Sequence, residues 1–385
     1  MIRFDFNTYN DIELNNYDLS DVMGKFLNEN KMTDWYYLDE DTSIIKKCAS
    51  IIRNECDVFI VVGIGGSFLG AKAVIELFST YFDNKPEILF VGNNLSSDYI
   101  YDLLKYIEDK NVYMNVISKS GNTLETLLSY DILLDYMKNK YNDYSNRIII
   151  TTNNKDGELL NSAKENNFKI FEISQNIPGR YSVLSSVGLL PIAVAGIDID
   201  KILLGAKKCK DNLDNCYKYV YLRNEMQKKE KYIESFDVYE PRLYYFTEWI
   251  KQLFAESQGK KSKAILPIST INTRDLHSIE QYYRDGRHII FSTVIFVNST
   301  SNVISNRFNK NLNSINRKVM ECVLKQRKEV LNSFLIELDN INEEDIGYLI
   351  FFFEISAMLG SYLIGVNYYD QPGVNFYKEM LKNEL

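Results

Sequence analysis

Acid–base chemistry in this chain has few places to occur. Only two histidines, His277 and His288, stand among its 385 residues. A metal site built mainly from histidine is thereby nearly excluded, and imidazole proton transfer must fall on one of the two. His277 lies in the polar run Asp275-Leu-His277-Ser-Ile-Glu-Gln281, whereas His288 opens an apolar stretch and suits a structural hydrogen bond. A carboxylate, Glu256, closes the segment Lys251-Gln-Leu-Phe-Ala-Glu-Ser-Gln-Gly-Lys260. Gln252 and Glu256 are four apart and share one face of a helix. That spacing suits a base with a hydrogen-bonding neighbour, and equally a solvated glutamate at a helix end.

Three further segments have the chemistry of anion sites. Ser118-Lys-Ser-Gly-Asn-Thr123 gathers three hydroxyls and a run of backbone donors at the start of an expected helix, without a carboxylate inside the loop. Backbone N–H groups and the helix dipole make such a place receptive to phosphate. Ordinary capping, with Asn122 as N-cap and Glu125 three residues on, explains those two positions but not the hydroxyls. Gly63-Ile-Gly-Gly-Ser67 joins a strand to a helix. It fails as a dinucleotide fingerprint, because Phe68 stands where a third glycine is needed and the next strand ends in Gly92-Asn93 with no acid. No Gly-Lys-Ser/Thr follows, so it is not a Walker loop, and a purely structural turn accounts for it equally well. Arg180 follows Pro178-Gly179, a turn able to fix a cation beside a developing oxyanion. Lys378, in Asp370-Gln-Pro-Gly-Val-Asn-Phe-Tyr-Lys378, would by itself be solvent decoration.

The elements that must position these residues alternate between strand and helix. Residues 57–63, 88–91, 112–117, 147–151 and 169–173 are short apolar, β-branched runs, and helical patterns over 68–82, 98–109 and up to 138 separate them. The alternation predicts a parallel sheet covered on both faces, with the loops after its strands facing one crevice. A second block from about residue 196 carries helices at 198–212, 216–231, 241–258, 313–331, 343–365 and 373–382. Its strands are expected at 264–268, 288–297 and 334–338. Residues 1–47, polar and weakly helical, form an arm. The expected division is thus 1–47, 48–195 and 196–385.

Composition removes other classes. Hydrophobic residues make up 45% and charged residues 25%, the balance of a soluble globular protein. A formal charge of −8 argues against a nucleic-acid or anionic-membrane partner. No apolar run approaches bilayer-spanning length, and the first residues lack the pattern of a signal peptide. Five cysteines without a C-x-x-C pair read as reduced cytosolic thiols.

Taken in order, Val62-Gly-Ile-Gly-Gly-Ser67, Val116-Ile-Ser-Lys-Ser-Gly121, Pro178-Gly-Arg-Tyr-Ser-Val-Leu184, Leu189-Leu-Pro-Ile-Ala-Val-Ala-Gly196, Gln252–Lys260, Asp275-Leu-His-Ser278 and Asp370-Gln-Pro-Gly-Val374 resemble the glucose-6-phosphate isomerase family in its bacterial form. The resemblance runs from about residue 35 to Lys382. It implies an α/β fold of two doubly wound, parallel-sheet sugar-isomerase (SIS) domains with a C-terminal helical segment. It implies a cytoplasmic, homodimeric aldose–ketose isomerase of glycolysis and gluconeogenesis that interconverts glucose 6-phosphate and fructose 6-phosphate through a cis-enediol, with neither metal nor nucleotide cofactor. Carried over by residue, Glu256 is the base, Arg180 stabilises the enediolate, and His277 and Lys378 open the ring, the histidine being supplied by the neighbouring subunit. Ser118, Lys119, Ser120 and Thr123 hold the phosphate. Gly65, Gly66, Ser67 and Gln252 line the sugar, with Glu125 nearby. Asn375 stands where the family usually has Glu, Asn122 and Leu124 replace commoner threonines, and the region after His288 is trimmed. Two alternatives stay open at this point: an isomerase that also accepts mannose 6-phosphate, and a non-catalytic SIS-type sensor, which would keep the phosphate loop and lose the base.

Overall fold

A computed structural model of the chain describes residues 1–6, 17–82 and 85–384. They divide into two units, Asn30–Leu203 and Met1–Glu29 with Leu204–Leu385. The division differs from the expected one at the arm. Strand β1 (Ile2–Asp5) leaves the arm to join the second unit, while 30–47 opens the first. Residues 7–16 of the arm lie outside the described residues.

The Asn30–Leu203 unit is one five-stranded sheet of β2 (Val58–Val62), β3 (Glu87–Val91), β4 (Val112–Ser118), β5 (Ile148–Thr152) and β6 (Lys169–Glu172). All are parallel, in the order β3-β2-β4-β5-β6. The period of two is visible in the core. Val58, Ile60 and Val62, Val112, Met114 and Val116, and Ile148 and Ile150 present one face to Tyr130, Leu133 and Met137 of the helix Leu124–Lys140. The direction in which successive strands are added reverses between β2 and β4. In an open parallel sheet that switch point, at the carboxyl ends of the strands, is where ligands bind. The two loops that leave it are Gly63–Ser67 and Lys119–Thr123.

The other unit holds β7 (Ile233–Val238), β8 (Leu266–Ile271), β9 (Ile290–Val297) and β12 (Ser333–Leu338), ordered β1-β12-β9-β7-β8, with the small hairpin β10 (Ile304–Ser305) and β11 (Lys310–Asn311) apart. Within the five-stranded sheet all are parallel except β1, which runs antiparallel to β12 at the edge. The sequence pattern does not predict β7, although it lies between β8 and β9. Its buried Glu234, Ser235 and Asp237 interrupt the apolar run. Each carboxylate meets a buried arginine: Arg223 Nε donates to Glu234 at 2.5 Å and Arg327 Nη1 to Asp237 at 2.5 Å. Burial alone would lower the Arg327 pKa, but Asp237 and Glu280 outweigh it and hold the guanidinium above its ordinary value.

The helix Glu343–Leu363 corrects one expectation from the sequence. By length and composition it is apolar enough to cross a bilayer, yet 78% of its most apolar window is buried inside the protein. Asn342 caps it through its side-chain oxygen. Within that helix Glu354 is fully buried, and neither carboxyl oxygen has a hydrogen-bond partner among the described residues. Burial drives its pKa well above the usual carboxylate range, with Cys209 adding to the rise. Below the unfolded-state pKa the group is neutral in both states. As pH climbs past that point the unfolded chain ionises first, and stability is lost up to the folded pKa. Glu354→Leu is expected to raise stability by about 1–3 kcal/mol at pH 8 and by much less near pH 4.5, as thermal melts at the two pH values will read.

Candidate active site

In the Asn30–Leu203 unit, the three hydroxyls of the 118–123 loop face one another. Ser118 Oγ lies 3.0 Å from Thr123 Oγ1 and 3.5 Å from Ser120 Oγ, and Ser120 Oγ is 3.4 Å from Thr123 Oγ1. Backbone N–H groups point the same way, Gly121 to Ser118 Oγ at 3.1 Å and Asn122 to Ser120 Oγ at 3.2 Å. Capping does not use these groups. Thr123, not Asn122, is the N-cap of Leu124–Lys140, and its side chain makes no cap hydrogen bond. Asn122 turns elsewhere, its Oδ1 accepting from Glu158 N at 3.1 Å. A 17-residue helix therefore points the first turn of its backbone at a cluster of hydroxyls. Glu125 is half-buried in that first turn.

Beside it, Gly65–Ser67 forms a 3-10 turn after β2, with Gly65 at φ +59°, where a side chain would be strained. Gly66 is required by contact: a Cβ there would meet Gly179 O at 2.0 Å. This backbone contact sets the glycine-rich turn against Gly179–Tyr181, the 3-10 turn that carries Arg180. Ser182 Oγ closes the second turn on Gly179 O at 2.7 Å, and Tyr181 stacks on Trp35 with centroids 4.7 Å apart. Arg180 is 2% exposed. The Lys119 ammonium donates to two main-chain carbonyls ahead of this turn, Gln175 O at 2.8 Å and Ile177 O at 2.7 Å. Partial burial lowers its pKa, and the nearby Arg180 charge lowers it further.

The other unit carries Gln252, Glu256, His277 and Lys378. Gln252 Nε2 donates to Glu256 Oε1 at 3.0 Å, so the expected shared face is occupied by a contact. Gln252 Oε1 is buried and accepts no hydrogen bond among the described residues. The end of the Tyr244–Gln258 helix is anchored. Gln258 Nε2 donates to Ala357 O at 3.0 Å, and Lys260 donates to Ser257 O and Asn367 O and pairs with Asp370 at 2.9 Å. That ties Asp370, which opens the Asp370-Gln-Pro-Gly segment, to the Glu256 end; the exposed Lys378 lies beyond it on the helix Asn375–Glu384. Nothing local in the sequence signalled the Lys260–Asp370 pair, since its members are far apart in the chain.

His277 is placed differently. β7 and β8 are parallel neighbours, so the Tyr244–Gln258 helix returns the chain from the C-terminal edge of one to the N-terminal edge of the other. Glu256 sits in the last turn of that helix, whereas the exposed His277 closes a 3-10 turn beyond the opposite end of β8. A six-residue strand, about 20 Å long, intervenes. Asp275 fixes the turn by accepting from Ile271 N at 2.7 Å, and its hydrogen bonds with Arg274 hold its carboxyl below the ordinary range. Behind the turn, Arg327 clamps Glu280 and Asp237, a brace that reads in the sequence as one more basic residue of an amphipathic helix.

An α/β fold with phosphate-type loops at a switch point defines the class, and the comparisons narrow it. Residues 49–276 match the Phosphoglucose isomerase family. The chain is 42% identical to "Glucose-6-phosphate isomerase" of Acetivibrio thermocellus and 39% identical to that of Clostridioides difficile, covering 89% of this chain and 83% of each relative. A hypothetical protein from Thermus thermophilus shares the fold with a TM-score of 0.86 at 24% identity, covering 100% of this chain and 99% of that one. A glucose-6-phosphate isomerase structure from Chlamydia trachomatis does so at 0.75 and 19%, covering 97% and 76%. The chain belongs to the phosphoglucose isomerase family.

The contact between the two turns has a direct test. Gly66→Ala is expected to displace the Arg180 turn and lower turnover by about 10²-fold. Gly179→Ala, whose Cβ would meet nothing within 4 Å, is expected to stay close to wild type. Steady-state rates of both variants, with circular dichroism to confirm folding, check the contrast.

Proposed function

We propose that the chain performs the reaction of its family, interconverting glucose 6-phosphate and fructose 6-phosphate, with the residues named above, Lys119 excepted, in the roles the resemblance implies. It is an aldose–ketose isomerase. The observation that carries the role assignment is the cluster of hydroxyls at the N-terminus of Leu124–Lys140, where the N-cap Thr123 makes no side-chain cap hydrogen bond. A phosphate dianion held there accepts from Ser118, Ser120, Thr123 and the first amides of the helix, and fixes the sugar by its far end.

With the phosphate held, isomerisation needs one base that removes a proton and returns it one carbon away. Glu256 takes the proton from C2 of the open-chain aldose, giving a cis-enediol, and delivers it to C1 of the ketose; the reverse reaction retraces these steps. The charge developing on the enediolate oxygen is met by Arg180, already buried and therefore not in need of reorganisation. Gln252 orients Glu256 through its amide N–H and offers its free carbonyl oxygen to a sugar hydroxyl. Gly65, Gly66 and Ser67 line the sugar. His277 and Lys378 serve ring opening as acid and base. The opposed positions of Glu256 and His277 on one sheet favour a homodimer in which each site takes its histidine from the other copy. The cysteine usage suits a cytoplasmic enzyme.

Glu256→Gln is expected to lower fructose 6-phosphate isomerisation by about 10²–10⁴-fold, with a much smaller change in KM. Equal rates in a coupled assay would remove Glu256 from the role of base. Co-refolding inactive Glu256→Gln with inactive His277→Ala chains is expected to restore turnover, because a mixed dimer holds one site with both groups intact. A mixture as inactive as its parents rejects the shared histidine.

A further inference from the structure

Lys119 lies inside the phosphate loop, and its neighbours Ser118 and Ser120 point into the hydroxyl cluster. Its own side chain does something else. The ammonium reaches Gln175 O and Ile177 O, the two carbonyls that precede Pro178-Gly179-Arg180, at 2.8 and 2.7 Å. Two of its three N–H donors are thereby committed to main chain. The strand β6 ends at Glu172, and the next helix begins at Ser186. Between them the 173–185 connection has no sheet partner beyond the single bond Ile173 N to Thr152 O, so its course depends on what ties it down. Three ties act ahead of Arg180, the first being the Ser174 hydroxyl, which donates to Asp34; the other two lie nearer the arginine. One is steric, the seat of Gly179 O on Gly66; the other is Lys119. Lys155 adds a bond at the exposed side chain of Gln175 but leaves the main chain alone.

We propose that Lys119 is a positioning residue for Arg180: it straps the Gln175–Ile177 backbone so that the guanidinium stands ready for the enediolate, and the hydroxyls and amides of its own loop hold the phosphate. The inference rests on the reading of Arg180 as the enediolate-stabilising cation. It also gives the lysine a reason to sit beside another cation, at an energetic cost that a residue serving only as solvent decoration would avoid. Because the strap runs from the phosphate loop to the arginine turn, it sets the distance between the place that grips the substrate and the place that stabilises its transition state. An error of about 1 Å in that distance costs as much as 10²-fold in rate.

The two roles for Lys119 separate in steady-state kinetics. With Lys119→Met, kcat is expected to fall by roughly 10–100-fold, while KM and the inhibition constant for inorganic phosphate change by less than about threefold, a small uniform-binding effect. In an Arg180→Ala background the same substitution is expected to add little further loss, because the group it positions is gone. A rise in KM and in the phosphate inhibition constant with kcat intact overturns the proposal and makes Lys119 a phosphate ligand. Fully multiplicative losses in the double variant overturn it too, since Lys119 would then act independently of Arg180. If Arg180→Ala alone leaves kcat unchanged, the underlying reading of Arg180 fails, and the proposal falls with it. Lys119→Ala likewise removes the ammonium from both carbonyls and serves if the methionine variant does not fold. The same split is read from it: a reduced kcat at unchanged KM supports the strap, and a raised KM at unchanged kcat rejects it.

Discussion

The Gly66 backbone meets that of Gly179 more closely than a side chain on Gly66 would allow, and the carboxyl-end loops of the first unit's sheet are arranged about that contact. A glycine-rich turn is usually explained by its freedom at positive φ, and Gly65 uses that freedom. Gly66 has a different reason to be glycine. It lets the turn that carries Arg180 settle on the turn that leaves β2, with no room for a methyl group between them. Arg180 is buried as a result, and it reaches that position through a connection that no sheet pairing supports.

Burying an arginine needs other things held still around it. Trp35 packs on Tyr181, Ser182 closes the turn on Gly179 O, and Lys119 ties the preceding carbonyls. Each is a modest interaction, worth about 1 kcal/mol for a single hydrogen bond. Together they keep a cation dry and preorganised, the condition under which it is worth most to a developing anion. The hydroxyl cluster at the start of Leu124–Lys140 follows the same economy in reverse. Its N-cap, Thr123, makes no side-chain hydrogen bond to the first amides of the helix.

The second unit meets a comparable problem in its core. β7 carries Glu234 and Asp237, which water does not reach, and the fold sets a buried arginine against each. A buried carboxylate is tolerable only with a partner and hydrogen bonds. Tyr219 and Thr293 complete the set on Glu234, and Thr270 and Ser235 do so on Asp237. The Arg327 pair extends to Glu280, so the neutralised core reaches the helix that follows the His277 turn. Core electrostatics and the placing of a surface histidine are one construction.

Local pattern determined much of this protein. The apolar β-branched runs of β2, β4 and β5 declare a parallel sheet, because strands covered on both faces have no polar period to show. Gly65, Gly66, Ser118, Ser120, Thr123 and Arg180 could be singled out because loops at strand ends carry ligands, and the ordered motifs named the family. Gln252 and Glu256 meet as a helical repeat of four requires. Tertiary structure decided the rest. β7 escaped notice because its polar residues are satisfied by arginines that lie remote in sequence, and periodicity cannot see a partner. β1 joined a sheet whose other members are hundreds of residues away. Glu343–Leu363 has the composition of a membrane span and is a core helix, since an apolar sequence states that it avoids water but not what it is buried against. Lys119 reads as a phosphate ligand in its motif and reaches two carbonyls in the fold. A residue's type is written in the chain, but what its charge is used for depends on neighbours that only folding brings near.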